Sequence, residues 1–102
     1  MSKELKELKL GLVKGRHEMP VDEYILEEVA DPTDYAAIHV AVYQKLDQLV
    51  TQDNFVSLFV TGLTIVSIEC IQYFIEHGIE YQSMHFDLST NSYFSQPGLS
   101  LI

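Results

Sequence analysis

The chain has 102 residues, of which 47% are hydrophobic and 21% charged, and its formal net charge is -9. This length suits a single domain over residues 1–102 with a true hydrophobic core. The excess of acidic residues disfavours direct binding to duplex nucleic acid, because phosphate contacts need Lys and Arg.

Cysteine content and hydrophobic segments predict a cytoplasmic protein without a membrane segment. Cys70 is the single cysteine, so no intramolecular disulfide can form. Residues 1–9 lack the apolar core of a signal peptide, and no later run approaches the roughly 18 apolar residues of a membrane span.

The first two elements are predicted to be strands. Residues 8–14 contain Leu10, Leu12 and Val13, while Gly11 permits close approach of a neighbouring backbone. Residues 24–29 form either a short strand or a helical turn, because so brief an apolar run does not define its own period. We favour the strand.

A helix is predicted over residues 33–51. Asp31 suits the capping position before it, and Pro32 suits the first helical position. The residues predicted to form its buried stripe recur at spacings of three and four: Tyr35, Ile38, Val42, Leu46 and Leu49. The residues predicted to face outward are Gln44, Lys45, Asp47 and Gln48.

A buried central strand and a second helix follow. Residues 55–60 are almost continuously apolar, which is typical of a strand buried on both faces. Residues 63–77 form a helix that stops at Gly78, a suitable left-handed cap. This helix is more apolar than one buried face requires, so we expect a homodimer through helix 63–77.

The chain is predicted to close with a hairpin. Residues 79–86 alternate as a strand, and the polar segment after them reverses into a short returning strand. The apolar residues 99–102 either dock or form a loose tail. The whole order predicts a small Rossmann-like α/β domain: a mostly parallel sheet of four to five strands, with helices packed on its faces.

Two turns hold the candidate ligand-binding residues. Three of the six Lys and Arg residues fall within the first nine positions, which leaves Lys14, Arg16 and Lys45 for the folded body. Lys14 and Arg16 with His17 suit a small anionic ligand, although they could equally balance nearby carboxylates.

The second turn follows the central strand. Thr61, Gly62 and Thr64 could hold a phosphate or carboxylate through hydroxyl groups and backbone amides. A capping Thr beside a turn Gly is the more common explanation, since the pattern is neither a Walker loop nor GxGxxG. We therefore predict no cofactor.

His85 and Asp87 complete the candidate ligand-binding set. They occupy alternate positions near the end of the last long strand, hence one face, and could reach the same pocket. The absence of closely spaced ligand pairs such as HxxxH or CxxC predicts no metal site. His39, on the flank of the first helix, and His77, at the end of the second, suggest no chemistry.

The segment from Phe55 onward resembles the small Rossmann-like proteins of phage and CRISPR-associated loci. The likeness lies in Val60-Thr61-Gly62-Leu63-Thr64 and in Met84-His85-Phe86-Asp87 with its polar turn. It implies a dimer whose pocket receives a nucleotide-derived signal, with or without cleavage of that signal.

Three functions remain open from the residues alone. The first is a homodimeric module that binds an anionic, nucleotide-like ligand. The second is an acidic interaction or decoy protein that docks onto a basic partner through Asp22, Glu23, Glu27, Glu28, Asp31 and Asp34. The third is an enzyme acting on a phosphate ester, with His17 or His85 as general acid or base.

Overall fold

The computed structural model describes residues 4–15, 19–60 and 64–98. Within them the chain forms β1 (Lys6–Val13), β2 (Glu23–Leu26), α1 (Tyr35–Leu49), β3 (Asn54–Phe59), α2 (Thr64–His77), β4 (Glu80–Asp87) and β5 (Ser92–Pro97). The sheet has the order β2-β1-β3-β4-β5. Four strands are parallel, and β5 pairs antiparallel with β4. The predicted α/β sheet, mostly parallel with a C-terminal hairpin, is confirmed.

β3 is the central strand of this sheet, as its apolar sequence predicts. It lies between β1 and β4, and its residues from Val56 to Phe59 are all buried. Val56, Leu58 and their neighbours in register on β1 face the helices, while Ser57 and Phe59 face the other way. Burial on both faces explains why this strand is nearly continuously apolar.

Both helices lie on the same face of the sheet, whereas the sequence suggested helices on its two faces. The chain passes from β2 over β1 to β3 and then from β3 to β4, so both helical crossovers run in the same direction. Right-handed crossovers in one direction place their helices on one side. The two helices accordingly contact each other through side chains such as His39 and Glu69.

The first helix begins later than predicted, and its cap is Asp34 rather than Asp31. The Asp34 carboxylate accepts a hydrogen bond from the amide of Ala37. Asp31 instead accepts from the amide and hydroxyl of Thr33, which holds residues 31–34 in a turn before the helix. The side chain of Tyr35 is therefore not part of the buried stripe, since Tyr35 is 69% exposed.

The core lies between the helices and one sheet face. Leu10, Leu12 and Leu58 of the sheet are fully buried there, together with Val42 and Leu46 of α1. The buried core residues of α2 are Val66, Cys70, Tyr73 and Phe74. The stripe from Ile38 to Leu46 is thus core, as its spacing indicates.

The ends of the elements agree with simple backbone rules. Gly78 follows α2 with a φ of 64°, the left-handed conformation that glycine adopts at low cost. β2 is a strand, although it spans only Glu23–Leu26.

The folded body has more cations than the sequence suggested. β1 starts at Lys6, so Lys6 and Lys9 belong to the sheet. The cations of the folded body are therefore not limited to Lys14, Arg16 and Lys45.

Neither α1 nor α2 has the length and apolar character needed to cross a membrane, a finding that covers the described residues.

Candidate functional site at the carboxyl edge of the sheet

The strand order reverses between β1 and β3. From β1 the chain moves outward to β2, and from β3 it moves outward in the other direction to β4 and β5. The carboxyl ends of β1 and β3 are therefore neighbours, with Lys14 and Gly15 after β1 and Val60 after β3. In open parallel α/β sheets, ligands bind in the crevice outside such a reversal.

Lys14 is exposed at this edge. Its Nζ lies 3.9 Å from Oε2 of Glu27, and both side chains are largely solvent-accessible. Its backbone amide donates a hydrogen bond to the carbonyl of Leu26, which anchors the residue beside β2. An exposed pair of this length contributes little, so the ammonium group can exchange Glu27 for another anion.

Thr64 is the first residue of α2, and its helix starts at the same edge. The amino end of a helix presents backbone amides without helical partners, which favour an anion. Four of the predicted site residues, Arg16, His17, Thr61 and Gly62, lie outside the described residues.

His85 and Asp87 lie on one face of β4, the face that carries the helices. The His85 ring is 3.0 Å from the amide oxygen of Gln96 through Nε2, and it stacks on Phe94. Asp87 accepts hydrogen bonds from the hydroxyl and amide of Ser89, and these bonds hold the pKa of its carboxyl below the usual value. Both residues are thus engaged within the hairpin.

The structure separates the hairpin residues from Lys14. β3 lies between β1 and β4, so the strands of Lys14 and His85 are two spacings, or about 10 Å, apart. Lys14 follows β1 and Thr64 comes after β3, the two strands at the reversal, whereas His85 lies on β4, one strand beyond β3. A single ligand would need to extend across the end of β3 to meet all of them.

A polar seam between the helices was not predicted from the sequence. His39, Tyr43 and Asp47 lie on α1 at intervals of four residues, hence on one side of the helix. They meet α2 through three hydrogen-bonded pairs: His39 with Glu69, Tyr43 with Glu76, and Asp47 with Tyr73. The spacing of four could have indicated such a seam, but the apolar stripe beside it dominated the pattern.

Tyr43 and Glu76 of this seam each keep one protonation state near neutral pH. Burial, followed by the hydrogen bond to Glu76, raises the pKa of Tyr43. Hydrogen bonds from Gln72 and then Tyr43 lower the pKa of Glu76. The phenol therefore stays a donor and the carboxylate stays an acceptor.

Cys70 is unsuited to nucleophilic chemistry. It is fully buried, and burial, with Glu69 beside it, raises the pKa of its thiol. A reactive cysteine needs the opposite setting. The described residues also include no group of three or more His, Cys, Asp or Glu side chains placed to hold a metal ion.

No family model, no curated protein and no solved structure matches the chain. The resemblance of the segment from Phe55 onward to Rossmann-like proteins of phage and CRISPR-associated loci stays a prediction.

Proposed function

We propose that this protein is a small-ligand-binding module that takes an anionic, nucleotide-like ligand at the carboxyl edge of the sheet, between β1 and β3. One observation carries the proposal: the strand order makes the ends of β1 and β3 neighbours at the point of reversal. The two turns that the sequence singles out, residues 14–18 and 60–64, follow these two strands.

The chemistry of the described residues supports an anion rather than a neutral ligand. Lys14 brings an exposed ammonium group to the edge, and its pairing with Glu27 is long and solvated. Thr64 brings a hydroxyl at the start of α2, where the helix dipole favours negative charge. Outside the described residues, the sequence adds Arg16, whose guanidinium is the group best shaped to grip phosphate or carboxylate.

A Rossmann-like fold is part of this proposal. The order β2-β1-β3-β4-β5 is the one used by doubly wound folds that bind a phosphate-containing cofactor at the reversal. This chain departs from such folds in two ways, because both helices lie on one face and β5 is antiparallel. Despite these departures, β1 and β3 remain adjacent strands at the point of reversal.

The homodimer is also a proposal, and α2 would form its interface. Ile68 is 56% exposed, and successive turns of the helix place the half-buried Ile71 and Ile75 beside it, on the side away from α1. An exposed isoleucine beside two that are only partly covered by the core favours a protein contact. Substitution Ile68→Lys should then give a monomer by light scattering, while Gln72→Lys, on the same helix but nearer α1, should leave the mass unchanged.

The ligand proposal is tested by thermal shift with mononucleotides, dinucleotides and cyclic nucleotides. A ligand that binds the folded state at one hundred times its Kd stabilises it by about 2.7 kcal/mol, a clear rise in melting temperature. Arg16→Ala should abolish the rise, whereas Lys45→Ala, which removes a cation from α1, should preserve it. A rise that both variants retain, or no rise with any nucleotide, would remove the proposal.

A further inference from the structure

A second pocket lies away from this edge, beside the edge strand β2. A cavity of about 210 Å³ separates the end of β2 and the loop after it from the first turns of α1. Its floor is apolar, formed by Leu26, Val29 and Ile38 with the small side chains of Ala37 and Ala41. The two alanines leave the space open because a longer side chain at either position would fill it.

Acidic residues also belong to the lining of this cavity. Glu28, Asp31 and Asp34 line the cavity together with the apolar residues. Asp31 and Asp34 each accept hydrogen bonds through one oxygen, Oδ1, from Thr33 and Ala37 respectively. The second oxygen of each carboxylate is left for another donor.

No cation among the described residues neutralises this rim. Lys14 approaches Glu27 instead, and Lys45 lies one turn beyond Ala41, outside the residues that line the cavity. Hydrogen bonds from the hydroxyl and then the amide of Thr33 hold the pKa of the Asp31 carboxyl below its usual value. Asp31 therefore carries negative charge throughout the neutral range.

The size of the cavity restricts the occupant. Pockets for whole small-molecule ligands usually measure about 300 to 1,000 Å³, so this one is too small for a nucleotide. A metal ion is disfavoured as well, because these carboxylates do not form a group that could hold one. An apolar stem with a cationic end matches both the floor and the rim, and Lys and Arg side chains have this construction.

We propose that the cavity between β2 and α1 is a docking site for a basic side chain, an arginine, of a partner protein. The aliphatic part of the arginine packs on Ala37, Ala41 and Ile38, and the guanidinium reaches the carboxylates of the rim. Arginine fits better than lysine because its planar group can donate to two carboxylates at once. This site is independent of the proposed anion site, and its ligand has the opposite charge.

The direct test is a titration followed by methyl NMR, with N-acetyl-arginine amide as the probe. The methyl resonances of Ala37, Ala41 and Ile38 should shift in a saturable manner. N-acetyl-citrulline amide has nearly the same shape without the charge, and it should produce no saturable shift. Equal shifts with the two compounds, or shifts with N-acetyl-leucine amide and none with the arginine compound, would overturn the proposal.

Variants separate the floor from the rim. Ala41→Leu fills the cavity and should abolish the shifts at Ala37 and Ile38, while Ala36→Leu adds the same volume at an exposed position of α1 and should leave them. Leucine is a good helix former, and a melting curve checks that both variants fold. Persistence of the shifts in Ala41→Leu would show that the compound binds elsewhere.

Charge removal completes the test without loss of the helix cap. Asp34→Asn keeps an effective capping side chain, and Glu28→Gln keeps the length of the original. Each variant should weaken binding of the arginine compound by about two- to fivefold, the range for an exposed charge pair. We expect the double variant, which combines Asp34→Asn and Glu28→Gln, to bind the arginine compound more weakly still. An unchanged affinity of this double variant for the compound would reject the role of the rim. The nucleotide thermal shift should be retained in these variants, which distinguishes this site from the proposed anion site.

Discussion

Nδ1 of His39 on α1 lies 2.5 Å from Oε2 of Glu69 on α2. The Glu69 side chain retains only 12% of its accessible surface, whereas the His39 side chain retains 42%. The histidine thus gives a mostly buried carboxylate a hydrogen-bond partner. This contact connects two elements 30 residues apart in the chain.

We expect His39→Ala to lower the free energy of unfolding by about 1–3 kcal/mol, because it leaves the Glu69 carboxylate without its partner in a mostly buried place. Glu69→Gln should cost less, since the amide keeps the shape and carries no charge. Urea unfolding of both single variants and the double variant gives the coupling energy, which should be about 1 kcal/mol. Strict additivity would show that the two side chains do not stabilise each other.

Stability should fall at alkaline pH because of Tyr73. Burial, with the hydrogen bond to Asp47, raises the pKa of Tyr73 from 10.0 to about 12. The folded state therefore holds this proton more tightly than the unfolded state does. The resulting stabilisation is fully present below pH 10 and is lost as the pH rises towards 12.

The variant Tyr73→Phe isolates this effect. It removes the hydroxyl that lies 2.6 Å from Asp47, so it should cost about 1–2 kcal/mol near neutral pH. Its stability should also decline less steeply than that of the wild type between pH 10 and 12. Urea unfolding across this interval provides the measurement, and parallel curves for the two proteins would contradict the assignment to Tyr73.

Two buried serines should respond in opposite directions to the same substitution. Ser67 on α2 is 6% exposed, and its hydroxyl has no hydrogen-bond partner among the described residues. Ser67→Ala should therefore be neutral or stabilise by about 1 kcal/mol, since it removes an unsatisfied polar group and favours the helix.

Ser57 is the matched control. Its hydroxyl donates to Glu7 and accepts from Gln82, so Ser57→Ala leaves two polar groups without this partner and should cost about 1–2 kcal/mol. Thermal or urea unfolding compares the variants. A loss of stability in Ser67→Ala equal to that in Ser57→Ala would mean that the Ser67 hydroxyl has a partner in solution.

The end of α2 depends on one backbone conformation. Gly78 has a φ of 64°, and a methyl group built there meets no atom within 4 Å. Gly78→Ala should cost about 1 kcal/mol, and the cost is conformational rather than steric. Gly15→Ala, whose added methyl would lie 3.9 Å from the carbonyl of Val13, should change stability little. Equal effects in urea unfolding would argue against a conformational cost at Gly78.

Local patterns predicted most of the elements because each pattern reflects the burial of its own segment. The apolar run at residues 55–60 indicated a strand buried on both faces, and Val56 to Phe59 are indeed buried. The spacing of Ile38, Val42 and Leu46 identified the buried side of α1. The start of α1 was less predictable, since Asp31 and Asp34 both suit a cap and only backbone geometry distinguishes them.

The candidate sites depended on the order of strands. Sequence drew attention to the turns after residues 13 and 60, but it could not show that these turns follow neighbouring strands. The seam of His39 with Glu69 and the cavity beside β2 were not predicted at all. Each joins residues from separate elements, and no local spacing records which elements meet.

The sequence by itself determined the type and approximate extent of the elements, most of the buried side of the first helix and the acidic composition of the chain. These properties follow from side-chain size, polarity and period, which act over a few neighbouring residues. Tertiary structure alone decided that both helices share one face, that β1 and β3 end side by side, and that Ala37 and Ala41 leave a cavity rimmed by carboxylates. Those outcomes depend on the direction of each crossover and on packing between distant segments, so they exist only once the chain has folded.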